Sequence, residues 1–336
     1  MGADFGETTA KKGGDFLFDQ PEVIPAVWGH AERVLWAEGE PMMIAAPPGT
    51  GKSTTAQQLL LRRCGVIREP LLGLPVKVSK RPSLLLAMDR PRQIGRSMRR
   101  MVDVADDRTR RLLNRRLAVW DQPLPRDFVA QDGFVDWADA LCPGVGLIVV
   151  DSLKDFVIGL SADEAAAAVN LVWQEVSAAG IELLVLHHDR KTLGSDTREN
   201  PALDDIYGSR WITAGMGSVV MFAGAAGDQE VTLHHVKQPS EVVGPMVVHF
   251  DRASGELARG ADGRVDRASK HVMEVVELAR NKPGMSSSDL LALMTTTTNN
   301  DARNRAMREA ERQRLVRREL GPKNAKFVFA IEYEEL

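Results

Sequence analysis

At 336 residues, 44% hydrophobic and 26% charged, the chain has the make-up of folded globular material, long enough for one large domain plus a small appendage, and wholesale disorder is excluded. A net charge of -3 excludes a wholly basic nucleic-acid binder, so any DNA contact has to come from local patches. Two cysteines, Cys64 and Cys142, sit far apart in apolar contexts without metal-ligand spacing and read as buried thiols in a reducing compartment. With no apolar signal core and no window near the roughly 18 apolar residues of a membrane span, the expectation is a cytoplasmic protein with no membrane partner.

In chain order, residues 1–26 read as a tail. Short apolar bursts then alternate with longer helical patterns, the signal for a mostly parallel sheet with helices on its faces. Pro41–Ala46, Ser83–Asp89, Arg116–Asp121, Gly146–Ser152 and Ile181–His188 are near-continuous apolar runs, as strands buried on both faces are. "GSVVMFAG", "EVTLHHVKQ" and "PMVVHFDRASGEL" follow with the spacing of an antiparallel meander at one sheet edge, turning near Arg252–Gly255. Helices are expected over Ser53–Cys64, as one long Arg-rich helix within Pro91–Arg115, over Phe134–Leu141, and in the Ala-rich "SADEAAAAVNLVWQEVSAAG". That last one opens on a capping-box pattern, Ser161 with Glu164, and closes on Gly180.

The polar, breaker-rich stretch from Arg190 to Asp205 is too long for a tight connection and reads as a functional loop. The first domain is expected over 27–257, with a linker over 258–269 where Gly, Asp and Arg replace the apolar pattern. Residues 270–336 read as three helices, the third running through "NNDARNRAMREAERQRLVRREL", and then a hairpin-like wing: a small winged-helix module.

The chemistry is concentrated in "IAAPPGTGKSTTAQQLL". A strand, a loop rich in glycine, a lysine and a serine opening a helix are the parts of a P-loop, in which backbone N–H groups converge on phosphates. Pro48, Gly49, Thr50, Gly51, Lys52, Ser53 and Thr54 are the candidate nucleotide-binding residues, with Lys52 reaching the β- and γ-phosphates and Ser53 offering its hydroxyl to Mg²⁺. Ala46 replaces the first glycine of the pattern, which is tolerable only at negative φ. Asp151, ending "LIVVD", is the candidate second Mg²⁺ carboxylate, expected on a strand next to the P-loop strand. Asp89, ending "LLLAMD", is the candidate that orients the attacking water. Of His187 and His188 only one can face the nucleotide, since successive strand side chains point opposite ways, and neither has further zinc ligands spaced nearby.

In this order these residues resemble the RecA-like core of hexameric plasmid and phage replicative helicases, particularly the RepA type. The resemblance covers about Val27 to Leu257, through "VWGHAERVLWAEGEPMMIAAPPGTGKST", "SLLLAMDRP", "LIVVDSL", "LVLHHDRK" and "DIYGSRWITAGMGSVVMF". It implies a P-loop ATPase that uses ATP and Mg²⁺, with Lys52 and Ser53 as the Walker A pair and Asp151 as the Walker B carboxylate. Asp89 stands where the family places a glutamate, one methylene longer. His188 and Lys191 match the family's His-His-x-x-Lys stretch, and His188 would report the γ-phosphate to a DNA-contacting loop over 190–205. Arg190, Lys191 and Arg198 in that loop become DNA-binding candidates.

The same resemblance implies a homo-oligomeric ring, a hexamer, with active sites between subunits and a neighbour's cation in each. Lys237 matches one such position, Pro239 stands where an arginine is expected, and Arg210 is a substitute candidate. On the C-terminal module Arg305, Arg308 and Arg312 are candidates for duplex contact, within a segment where arginines outnumber acids. The function expected is an ATP-dependent DNA motor of phage, prophage or plasmid type. An ATP-switched DNA-binding regulator or loader and a RecA-like recombinase are the alternatives.

Overall fold

The computed structural model describes residues 10–125, 133–190, 201–225, 227–251, 254–259, 267–295, 298, 300–312, 316–320 and 326–330. The chain forms two compact units, Met1–Arg259 and Gly260–Leu336.

The first unit begins with α1 (Gly13–Phe18) and a hairpin of β1 (Ala26–His30) and β2 (Arg33–Ala37). Trp28 and Trp36 face each other across that hairpin and both are fully buried. A register shift beside Gly29 lets the two strands close up there, at a φ of 122. Then come β3 (Met42–Ala45), α2 (Lys52–Arg63), β4 (Ser83–Ala87), α3 (Pro91–Arg100), α4 (Asp107–Arg116), β5 (Leu117–Trp120) and α5 (Phe134–Leu141). After these follow β6 (Leu147–Asp151), α6 (Leu153–Phe156), α7 (Asp163–Ala178), β7 (Glu182–His187), a 3-10 turn (Leu203–Asp205), α8 (Trp211–Ala214), β8 (Ser218–Ala223), β9 (Glu230–Lys237), β10 (Met246–Phe250) and β11 (Leu257–Arg259).

Nine strands make one sheet in the order β11-β10-β9-β8-β3-β7-β6-β4-β5. From β8 to β5 all pairings are parallel; β9, β10 and β11 extend the β8 edge antiparallel. Alternate residues build a core on each face, as the two-residue period of a strand requires. Met42, Ile44, Leu85, Leu147 and Leu184 pack with Leu59 and Leu60 of α2 on one side. Met43, Leu84, Ile148 and Leu183 pack with Phe134 of α5 and Val169 and Trp173 of α7 on the other. A large, mostly parallel sheet with helices on both faces and antiparallel edge strands is the architecture of a P-loop nucleotide-binding core.

Three expectations need correction in this unit. The Arg-rich segment is two helices, because the chain turns at Met101–Asp106 and Asp106 caps α4 by accepting from the Arg108 and Thr109 N–H groups. Ser161 does not cap α7: the helix starts after Ala162, and the Ser161 hydroxyl bonds Tyr207 Oη instead. Asp151 does not lie on a neighbour of the P-loop strand, since β7 is inserted between β3 and β6. Residues 252 and 253 of the expected turn before β11 lie outside the described residues.

The second unit contains α9 (Arg267–Asn281), β12 (Met285–Ser286), α10 (Ser287–Ala292), α11 (Asn300–Arg312), β13 (Val316–Leu320) and β14 (Lys326–Ala330), with an antiparallel sheet in the order β12-β14-β13. Val275, Leu290, Met307, Val316 and Val328 share its core. The expected third helix is too long, because α11 stops at Arg312 and Val316–Leu320 pairs with β14. Val316 is buried while Arg317 is exposed, and Arg317 lies over the Phe329 ring at 5.3 Å.

Candidate functional site

The site forms where the parallel strands end. From β3 the chain passes through Ala46, which is fully buried and is not among the residues with positive φ. Its N–H donates to the His187 carbonyl at 3.3 Å, so the β3–β7 ladder runs one residue further and no glycine is needed there. The loop then turns at Gly49 (φ 81) and Gly51 (φ 103), both left-handed. Thr50 Oγ1 donates to the Pro47 carbonyl at 2.8 Å and closes the turn. α2 begins at Lys52 with no side-chain cap, leaving its first N–H groups to an external acceptor.

Around this cradle the structure gathers the expected side chains of Lys52, Ser53, Asp89, Asp151 and His188. Lys52 is buried, and its Nζ lies 3.5 Å from His188 Nδ1. Burial lowers the Lys52 pKa, and the charges of Asp151, Asp189 and Asp89 oppose that shift. Asp151 hydrogen-bonds Ser53, the pair expected to hold Mg²⁺, and burial pushes its carboxyl up to about 6. A buried carboxylate beside a hydroxyl at a helix N-terminus is a donor set that suits a hard divalent cation. Asp89 is tied to the same strand end, because the Met88 and Asp89 N–H groups donate to the Asp151 carbonyl at 3.1 and 3.4 Å.

Of the two histidines, His188 faces the loop lysine. His187 is fully buried and its Nε2 donates to the Tyr207 carbonyl at 2.7 Å. Burial takes both imidazoles down to about 4, so both are neutral near pH 7. Among the described residues no group of three His, Cys, Asp or Glu side chains could hold a metal by itself.

A cavity of about 450 Å³ opens on this cradle. One wall carries Gln93, Ile94 and Ser97 of α3; the far wall carries Val231, Val248, Phe250 and Leu257 of the antiparallel edge. That edge is fastened to the loop helix: Gln58 donates to the Leu257 carbonyl at 3.2 Å and accepts from its N–H at 3.1 Å. Neither Gln58 nor Lys154, which also lines the cavity, stands out in the sequence. The one available signal for Lys154 is its place three residues after the strand-end Asp151.

Arg190, Arg210 and Lys237 are engaged elsewhere. Arg190 donates to the Ile206 and Gly208 carbonyls at 3.1 Å each and clasps the segment before α8. Arg210 pairs with Asp204, both largely exposed. Lys237 donates to the Thr213 and Ala214 carbonyls at 3.0 Å. Lys191 and Arg198 lie outside the described residues. Arg305, Arg308 and Arg312 fall on α11, where Arg308 is exposed. Cys64 and Cys142 are buried and free, and burial pushes the Cys64 thiol up to about 11, which leaves it unreactive.

The loop, the strand-end carboxylates and the central parallel sheet together define a P-loop nucleotide-binding domain. A family model described as AAA domain matches residues 17–194, and the chain belongs to that family. Membership implies nucleotide binding, ATP with Mg²⁺, and ATP-dependent activity in general. Comparison with curated proteins gave no match. Among the described residues no helix is long and apolar enough to cross a membrane.

Proposed function

We propose that the chain is an ATP-driven DNA motor of the replicative-helicase type, assembling as a homo-oligomeric ring, a hexamer, and hydrolysing ATP between subunits. The observation that carries this reading is the convergence of Asp89, Asp151 and His188, from the ends of three parallel strands, on the loop holding Lys52. In it Lys52 and the loop N–H groups bind the phosphates, Ser53 and Asp151 hold Mg²⁺, Asp89 orients water, and neutral His188 reads the γ-phosphate through Lys52. Bound Mg²⁺ would offset charge on the β- and γ-phosphates.

The order of helices and strands in the second unit, with α11 followed by a β13–β14 hairpin, supports a winged-helix module. Its exposed Arg308 supports duplex contact. Single-stranded DNA through the ring is the expected substrate track.

A second reading, an ATP-switched DNA-binding regulator or loader, is favoured by one observation: both trans-acting candidates, Arg210 and Lys237, are bonded within their own chain. Steady-state turnover with and without single-stranded DNA separates the two. A motor accelerates about tenfold or more on DNA and forms closed rings with an ATP analogue under the electron microscope. ATP binding with turnover indifferent to DNA supports the switch, and a helical filament on DNA supports a recombinase.

A further inference from the structure

Among the described residues three cationic side chains line the cavity, Lys52, Arg90 and Lys154. Lys52 belongs to the phosphate loop. The other two hold Asp89 by its separate oxygens: Lys154 Nζ is 3.0 Å from Oδ2 and Arg90 Nε is 3.6 Å from Oδ1. A cation that turned from Asp89 to a stronger anion would free a carboxylate oxygen for a water at the γ-phosphate. Arg90 is the poorer candidate, with 73% of its side chain exposed and the longer contact. Lys154 sits on α6, three residues after Asp151, and bears electrostatically on both Lys52 and His188. Its flexible four-carbon stem ends in a compact point charge with three donors, suited to exchanging one oxygen anion for another.

We propose that Lys154 is a catalytic residue that supplies, from the same chain, positive charge to the γ-phosphoryl group in flight, releasing Asp89 as it does so. The inference rests on the ATP-hydrolysis reading above. In the step, the oxygen of water forms a bond to the γ-phosphorus, and the bond from that phosphorus to the β–γ bridging oxygen breaks. The bond's electron pair stays on ADP. The water proton passes to the Asp89 carboxylate and then to solvent, giving ADP, phosphate and one proton. Lys154 remains an ammonium throughout and contributes charge alone, of the kind that a neighbour's arginine supplies in related motors.

The full-length protein and its Lys154→Ala, Lys154→Gln and Lys154→Arg variants test this. Lys154 is 44% exposed, and loss of its side chain leaves no core cavity, so the variants are expected to fold, with thermal midpoints near the wild type. Turnover by Lys154→Ala and Lys154→Gln is expected to fall about 10²-fold, the usual loss for one charge-stabilising donor, with ATP affinity within about threefold and partial rescue by Lys154→Arg. ADP with aluminium fluoride, a mimic of the phosphoryl group in flight, is expected to bind Lys154→Ala at least tenfold more weakly while ADP alone does not. Unchanged or faster turnover in Lys154→Ala beside an active wild type overturns the inference alone. Absence of turnover in the wild type overturns the hydrolysis reading and the inference with it.

Discussion

His235 shows how one buried side chain can set a pH response. Its Nε2 donates to Ser218 Oγ at 2.9 Å, that hydroxyl donates to the Leu35 carbonyl at 2.5 Å, and Nδ1 accepts from the Val243 N–H at 3.4 Å. The Nδ1 bond needs the neutral ring, since a protonated Nδ1 would face the Val243 N–H with a hydrogen of its own, and burial lowers the ring's pKa to about 4. The unfolded chain, with its pKa near 6.5, takes up the proton first. Stability is therefore complete above that value and declines as pH falls toward 4, by up to about 1.4 kcal/mol per pH unit for each such histidine. Urea unfolding midpoints are expected to drop between pH 7 and pH 5. In His235→Gln the slope is expected to be shallower, and an unaltered slope would contradict the assignment. At this scale Lys52, Ser53 and Asp151 are legible in the sequence because spacing alone marks them. Lys154 is not, since a lysine one turn beyond a strand reads as solvated surface until its partner Asp89 is seen.

Secondary structure was legible wherever a run was apolar without interruption. All of the parallel strands after the hairpin lie inside the expected runs, because residues buried on both faces leave no polar gaps. The β1–β2 hairpin was missed, its buried tryptophans being interspersed with Gly29, His30, Glu32 and Arg33. Its closure depends on Gly29, where an added Cβ would stand 2.2 Å from the Arg33 carbonyl oxygen at a φ of 122. Gly29→Ala is expected to cost about 2–4 kcal/mol, by the sum of left-handed strain and a backbone clash, read as a lowered thermal midpoint. A midpoint within about 1 °C of wild type would show that the strands can part at no cost. Helix ends were less legible than helices. The α3–α4 break is set by the Asp106 cap, which looks from sequence like one more acid among arginines.

For the whole molecule, the strand order was the least legible feature, because it is fixed by crossovers rather than by any local run. Insertion of β7 between β3 and β6 puts His188 between the loop lysine and the Asp151 strand, and this places a neutral imidazole against Lys52. The antiparallel edge completes the cavity from the end of the first unit, through the two Gln58–Leu257 bonds. Every described residue that lines the cavity lies in the first unit, Met1–Arg259.

The central claim is that Lys52 and its loop bind ATP with Mg²⁺, and calorimetric titration of ATP into the wild type and Lys52→Ala in the presence of Mg²⁺ tests it most directly. The structure predicts saturable binding of one nucleotide per chain in the wild type, and at least about 30-fold weaker binding in the variant, as loss of a buried cation facing phosphate requires. No binding by folded wild type, or equal affinity in the two proteins, would contradict it.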